Sequence, residues 1–357
     1  MEEIKINSIV CGETISELKK IPDESIDCIF ADPPYNLQLE NTLFRPNQTL
    51  VNGVDDTWDQ FENLNHYDKF CNKWISECRR VLKKNGTLWV IGTYHNIFRI
   101  GKIIQDKSFW ILNDIIWNKK NPMPNFKGTR FTNAHETLIW AAKSKKSKYT
   151  FNYNSLKCFN DDKQMRSDWD ISICNGTERI KDENGHKVHS TQKPESLLFR
   201  IILSSTNPGD LILDPFFGTG TTGAVAKKLG RNFYGIDKSK KYIDVAENRI
   251  KRIKKLDDTY LKTIEKKRSE KRIPFGYLIE NGIIEPGMKL FDSKSKIEAS
   301  VMVDGSINCK NFKGSIHSVG AKIQGAESCN GWSFWHVKIE NKLTPINHFR
   351  EKIRNNN

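Results

Sequence analysis

The sequence predicts an α/β fold, a mostly parallel sheet covered by helices, followed by a small mixed C-terminal domain. Three observations lead there. From Met1 to about Arg252, short apolar runs that stop at turn residues alternate with stretches of helical spacing. Residues 210–237, DLILDPFFGTGTTGAVAKKLGRNFYGID, read as strand, glycine-rich turn, helix and second strand. Beyond residue 272 the texture changes to strands punctuated by glycine.

Taken in order, the first clear strand lies in SIDCIFADPPY, residues 25–35, where an apolar run meets Asp32-Pro33-Pro34-Tyr35. In HYDKFCNKWISECRRVLKKNG, Phe70, Trp74, Cys78 and Val81 or Leu82 fall at helical spacing. Lysines crowd the last turn, and Gly86 is placed to supply a left-handed cap. Thr87 to Gly92 then reads as a strand. Between about 251 and 272 the local charge is +6 with few large apolar groups, the mark of a tether or an exposed helix. The expected division is a first domain over 1–255, a basic linker over 256–272 and a second domain over 273–357. Trp332, Phe334 and Trp335 stand in one short run of the last.

Composition narrows the function. With 357 residues, 37% of them hydrophobic and 28% charged, disorder and fibre are excluded and two domains are expected. No apolar stretch is long enough to span a bilayer, and MEEIKINSIVCGE lacks the basic start and apolar core of a secretory signal, so a cytosolic protein is expected. The eight cysteines (11, 28, 71, 78, 158, 174, 309 and 329) form no C-x-x-C pair, so neither a metal nor a disulfide is implied. A net charge of +14 makes a polyanion the natural partner, with a solubilising surface excess as the alternative.

Asp32-Pro33-Pro34-Tyr35 carries the strongest signal. Strand ends are where open α/β sheets place their chemistry. Two prolines fix φ and donate no hydrogen bond, so the turn is stiff and holds the Asp32 side chain and the carbonyls after it in one geometry. A planar amine suits it: the Asp32 carboxylate and the Pro33 carbonyl each accept one N–H, and Tyr35 stacks on the ring face. An ordinary strand-ending turn is the plain alternative.

The second motif has Asp214 ending a strand, Gly218, Gly220 and Gly223 spelling G-x-G-x-x-G, and Asp237 closing the next strand. Glycines let backbone approach a ligand, and a carboxylate at Asp237 can hold two ribose hydroxyls, which suits any adenosine cofactor. The fingerprint permits a nicotinamide cofactor. However, the acid Asp214 before the glycines repels a pyrophosphate and favours a cationic amino acid group. S-adenosylmethionine has that group, together with a sulfonium and an adenosine.

Through DPPYNLQL, GVDDTWDQF, HSTQKPESLL, DPFFGTGTTGA, GSIHSVGA and CNGWSFWH, the chain resembles the amino-group DNA methyltransferases of the permuted (beta) class, in which D-P-P-Y precedes F-x-G-x-G. Within that class it resembles the cell-cycle-regulated adenine methyltransferases and related modification methylases. That resemblance spans essentially the whole chain. It implies the class I S-adenosylmethionine-dependent methyltransferase fold, a seven-stranded mixed sheet flanked by helices. It also implies methyl transfer to adenine N6 in double-stranded DNA at GANTC, by base flipping, and a homodimer on DNA. By position, the resemblance makes Asp32, Pro33, Pro34 and Tyr35 the catalytic turn. Asp214, Phe216, Gly218, Gly220, Thr221 and Asp237 then belong to the cofactor loop and its ribose acid. Thr191, Gln192 and Lys193 match a further cofactor motif, with Lys193 facing the methionine carboxylate. One departure is Glu13, where relatives usually carry Gly-Asp. A restriction partner and a role in replication timing are both compatible with this reading.

Two stretches of the first domain are candidates for reading DNA: the long polar segment 36–57, with Leu43 and Arg45, and residues 121–136, with Lys127 and Arg130. The second domain offers Ser315, Asn330, Trp332 and Arg350, where Asn330-Gly331 is expected to project Trp332 toward DNA, with a place in the core as the alternative for that ring. Asp at the first motif position is associated mainly with adenine in that family, leaving an N4-cytosine enzyme as the alternative of the same class. A nicotinamide oxidoreductase and a non-catalytic DNA-binding protein are the alternatives from other classes.

Overall fold

An eight-stranded sheet forms the frame of the first unit. The computed structural model describes residues 4–36, 61–125, 128–261, 273–340 and 342–355, with the backbone of 43–44 and 50–51. Its strands are β1 (Ser8–Cys11), β2 (Ile26–Ala31), the short antiparallel pair β3 (Leu43–Phe44) and β4 (Leu50–Val51), β5 (Leu82–Gly92), β6 (Trp110–Lys119), β7 (His135–Ala142), β8 (Asp168–Ile171), β9 (Leu211–Asp214) and β10 (Asn232–Asp237). The large sheet has the order β1-β10-β9-β2-β5-β7-β6-β8. All its pairings are parallel except those of β7, which runs against β5 and β6. The expected count was seven. The eighth strand is β8, four residues at the edge beside β6, where Trp169 and Ile171 turn inward.

The central strands are apolar on both faces because helices cover both. Along β2, Ile29 and Ala31 belong to one core and Cys28 and Phe30 to the other, the two-residue alternation of a strand. On the first face lie α1 (Thr14–Leu18), α2 (Leu64–Val81) and α3 (Ile97–Asp106), and on the second α5 (Glu195–Ser205), α6 (Thr221–Lys228) and α7 (Lys240–Lys251). The short helices α4 (Tyr153–Cys158) and α8 (Asp258–Leu261) complete the set.

Helix α2 starts at an Asn63 cap whose side chain accepts from the His66 amide at 2.9 Å. It buries Tyr67, Cys71, Trp74, Ile75, Cys78 and Val81, leaving Phe70 at the margin. Gly86 does not cap it. The helix ends at Val81, Leu82 is already extended, and Gly86 lies where a Cβ would come within 2.8 Å of the Asp27 carbonyl. Close approach to β2, rather than a left-handed φ, is what glycine provides there.

The chain divides into two units, Met1–Glu265 and Lys266–Asn357. The second holds an antiparallel sheet of β11 (Lys289–Phe291), β12 (Glu298–Val301), β13 (Ile307–Cys309), β14 (Phe312–Gly314), β15 (His336–Ile339) and β16 (Lys342–Pro345), in the order β14-β13-β12-β11-β15-β16. With it go α9 (Phe275–Glu280), α10 (Ile316–Gln324), α11 (Gly331–Phe334) and α12 (Ile346–Asn355).

Trp332 corrects the expectation of a projecting ring. It is 5% exposed and sits in this unit's core, edge to face with Phe275 at 6.1 Å. The Arg350 guanidinium covers it at 4.4 Å. Asn330-Gly331 starts α11 instead of a protruding turn, and a Cβ on Gly331 would lie 2.5 Å from the Ile316 carbonyl. Among the described residues, no helix is long and apolar enough to cross a membrane.

Candidate active site

Strands β2 and β9 lie side by side at the centre of the sheet, Cys28 opposite Ile212 and Ile29 opposite Leu213. Asp32 and Asp214 therefore leave the same edge. From here the sheet continues through β5 on one side and through β10 on the other, the reversal point at which open α/β sheets hold ligands. The D-P-P-Y turn, the loop after Asp214, Asp237 and Thr191 to Lys193 all line one cavity of about 380 Å³.

The turn is fixed from outside as well as by its prolines. The Tyr67 hydroxyl donates to the Pro34 carbonyl at 2.8 Å, and the fully buried Asn96 donates to the Tyr67 oxygen at 3.2 Å. Asp32 meets the Lys193 ammonium at 2.6 Å through one oxygen and the Tyr35 hydroxyl at 2.9 Å through the other. The same hydroxyl lies 3.0 Å from Glu136, which pairs with Lys119 at 2.8 Å.

Burial sets the protonation of this cluster. It pushes the Asp32 carboxyl above its ordinary value despite Lys193. Glu136 is desolvated too, yet Lys193 and Lys119 hold it below the ordinary value. The Tyr35 phenol is raised by burial and by its two carboxylate neighbours, so it stays protonated. Lys193, which burial would neutralise, is held in its charged form by Asp32 and Glu136.

Two of the expected site residues have partners within the protein. Lys193, expected to face a cofactor carboxylate, is paired with Asp32. Tyr35 is 8% exposed, and the Lys193 ammonium stands 5.2 Å over one face of its ring, at the cavity wall.

The glycine-rich loop is built by its own acids. Asp214 accepts from the Phe216 amide at 3.0 Å and from the Thr222 hydroxyl at 2.5 Å, and burial pushes its carboxyl up to about 7. Asp237 accepts from the amides of Gly218 at 2.8 Å and Ser239 at 2.8 Å, and it too is raised by burial. Gly218, at φ 51°, turns the loop into the cavity. Gly220 does not line it: at φ 76° it starts α6 in the left-handed conformation, and a Cβ there would lie 2.7 Å from that of Ala246, so glycine serves the turn and the helix contact rather than ligand approach. Phe216 packs edge to face on Trp74 at 5.5 Å and lines the cavity.

Thr221 bonds the Lys193 carbonyl at 3.3 Å and accepts from Arg249 at 3.0 Å. Gln192 uses its amide on the Ile180 N–H and the Glu178 carbonyl, fixing the segment that carries Lys193. The Thr191 amide bonds His189, a cavity residue held neutral at pH 7, its imidazole lowered to about 4 by burial and by Lys193 and Arg179. Glu13 also lines the cavity, while its carboxylate caps α1 through Ser16 at 2.8 Å. The charge pattern tests the ligand class: Glu13, Asp32, Asp214 and Asp237 face the cavity against Lys193 and Lys238. An adenosine ligand with a cationic tail fits these donors and acceptors, and a pyrophosphate does not.

Glu136, Lys119, Tyr67, Asn96 and His189 are site residues that the sequence reading did not single out. The available signal was polarity out of place, such as Glu136 inside HETLIWAA. Of the DNA candidates, Arg130 is exposed with its guanidinium 5.8 Å from the Tyr94 ring, beside Phe131, which is 99% exposed. Leu43 lies in β3, and Arg45 and Lys127 fall outside the described residues. In the second unit Ser315 and Asn330 are exposed but cap α10 and α11, and Arg350 covers Trp332. A hydrogen bond from the Gly331 amide to His317 at 3.0 Å brings the two C-terminal motifs together.

Comparisons with known proteins agree with this geometry. A DNA methylase family model matches residues 26–248, and one described as restriction enzyme adenine methylase associated matches 256–357. The chain is 50% identical over 351 residues to the type II methyltransferase M.HinfI of Haemophilus influenzae, covering 98% of this chain and 97% of that protein. It is 44% identical over 243 residues to the type II methyltransferase M2.LlaDCHI of Lactococcus lactis subsp. cremoris, covering 68% and 88%. Among solved structures, the M1.HpyAVI–SAM complex matches with a TM-score of 0.51 at 27% identity, over 68% of this chain and 98% of that one. The cytosine-N4-specific PvuII DNA methyltransferase shares the fold, with a TM-score of 0.54 at 19% identity over 71% and 89%.

Proposed function

The chain belongs to the DNA methylase family, and from that membership we propose that it methylates adenine N6 in double-stranded DNA at GANTC, as a type II enzyme of the permuted class. The observation that carries the reading is the single cavity shared by the D-P-P-Y turn and the glycine-rich loop on neighbouring strands. The adenine assignment draws on the first-position Asp32 and on the C-terminal match to an adenine methylase-associated region. The GANTC site draws on the sequence resemblance to the cell-cycle-regulated adenine methyltransferases.

The cofactor is S-adenosylmethionine. When bound, it supplies an electrophilic methyl group on a positively charged sulfur. Asp237 would take its ribose hydroxyls, Phe216 and Gly218 would flank the adenosine, and Thr191, Gln192 and Thr221 would frame the remainder. Asp214 would act mainly by holding the loop.

The protein's own groups then act on the amine. An adenine amino group is buried in the stack, so the base must be extruded into the cavity. Its nitrogen lone pair is delocalised into the ring. Asp32 accepting one N–H and the Pro33 carbonyl the other localise density on nitrogen and stabilise the positive charge that develops there. The raised Asp32 carboxyl makes it a competent acceptor for the proton the nitrogen loses. Lys193 beside it opposes burial and favours the ionised form of Asp32. In this reading the first unit carries the chemistry and the second helps hold DNA, with Arg130, Ser315, Asn330 and Arg350 among the contacts. A homodimer on DNA in the bacterial cytoplasm belongs to the same proposal.

The test is mass spectrometry of nucleosides from duplexes with and without GANTC, after incubation with the protein and S-adenosylmethionine. N6-methyladenine confined to the GANTC duplex is expected. N4-methylcytosine overturns the base assignment, and no methylated base overturns the reading.

A further inference from the structure

Glu136 is the second residue of β7, in the otherwise apolar run HETLIWAA, and is 8% exposed. One of its oxygens meets Lys119 at 2.8 Å and the other the Tyr35 hydroxyl at 3.0 Å. That hydroxyl also lies 2.9 Å from Asp32, whose second oxygen is bonded to Lys193 at 2.6 Å. A phenol carries one proton, so Tyr35 serves one carboxylate at a time. While it serves Asp32, each Asp32 oxygen already accepts one hydrogen bond, and a substrate N–H has to share its oxygen with Lys193 or Tyr35, which weakens the bond it can make.

We propose that Glu136 is a positioning residue for methyl transfer, the alternative acceptor to which the Tyr35 hydroxyl turns so that one oxygen of Asp32 is open to the substrate amine. This rests on the reading of Asp32 as the amine acceptor. No proton changes owner in the step: the Tyr35 O–H bond stays intact and rotates from Asp32 to Glu136. Lys119 matters because it keeps Glu136 ionised and therefore an acceptor. Among the described residues, the charged and titratable groups facing Glu136 are Lys193 before α5, Lys119 on β6, and Tyr35 and Asp32 after β2. Its negative charge also adds to burial in raising the Asp32 carboxyl.

The test is Glu136→Gln, which preserves shape. Lys119 draws the amide oxygen, so the amide nitrogen donates to the Tyr35 oxygen and the Tyr35 proton is left on Asp32. Expected is a fall in kcat of about 10- to 100-fold, with the cofactor KM within about twofold. The acid limb of the kcat profile moves to lower pH, because the charge that raised Asp32 is gone. In a Tyr35→Phe background the same substitution changes kcat by less than about threefold, since Tyr35 is the link. Unchanged kcat and pH profile, or an equal loss in the Tyr35→Phe background, overturns the inference. If the Gln variant lacks a cooperative melt, Lys119→Met decides. Without its cation Glu136 takes a proton at higher pH, so the acid limb must move up, and an unmoved limb overturns the proposal. Wild-type protein on the same duplex separates the two levels. Transfer by wild type with an unaffected variant sinks this inference alone, whereas no transfer by wild type sinks the reading beneath it.

Discussion

Asp32 and Asp214 follow neighbouring parallel strands, face the same cavity and are both raised by burial, yet their partners differ in origin. Both oxygens of Asp214 are taken within eight residues, by the Phe216 amide and the Thr222 hydroxyl. Asp32 draws Lys193 from 161 residues away and, through Tyr35, is linked to Glu136 on another strand. Local partners shape a loop, whereas partners converging from distant elements hold a carboxylate ready for something that is not protein. In sequence the two look alike, each an acid and a proline after an apolar run.

The sharpest way to break this contrast is Asp32→Ala. A loss of about 10³-fold or more in single-turnover methyl transfer is expected, with the fold intact by circular dichroism. In the wild type, kcat/KM should fall on acidification at a pH above the ordinary carboxylate range, because the raised Asp32 must be ionised to accept the amine.

The contrast between buried and presented aromatics comes next. Trp332→Ala is expected to destabilise the second unit by about 3–5 kcal/mol in thermal or denaturant melts, the cost of emptying a core site. By comparison, Arg130→Ala and Phe131→Ala should leave melting unchanged and weaken duplex binding by about 3- to 10-fold each, read by anisotropy titration. Unchanged affinity would remove that exposed pair from the DNA surface. The smallest effect concerns His189: its ring should titrate near pH 4 by NMR and contribute no inflection near 6.5 to the rate profile.

Much of this architecture is legible in sequence because it is local. The strand into Asp32 and the strand, turn, helix and strand of 210–237 are each written in consecutive residues whose period and turn chemistry point one way. The terminal D-P-P-Y and G-x-G motifs then place the cavity. What sequence hides is convergence. Glu136, at the start of β7, reaches the site because that strand runs against β5 and β6, and although its polarity stands out in HETLIWAA, nothing local names Lys119 or Tyr35 as its partners. Lys193 was readable as a cavity residue but not as the partner of Asp32. Gly86 and Gly331 show a second blind spot: a glycine needed for close approach has the same letter as one needed for a turn. Trp332 was misread for that reason, since Asn-Gly describes a helix start as well as it describes a hairpin tip.

Calorimetric titration of S-adenosylmethionine into wild type, Asp32→Ala and Asp214→Ala, side by side, tests the division of labour most directly. The account predicts that Asp32→Ala binds within about threefold of wild type, while Asp214→Ala, its loop released, binds at least about tenfold more weakly. Weak binding by Asp32→Ala together with wild-type binding by Asp214→Ala would contradict it.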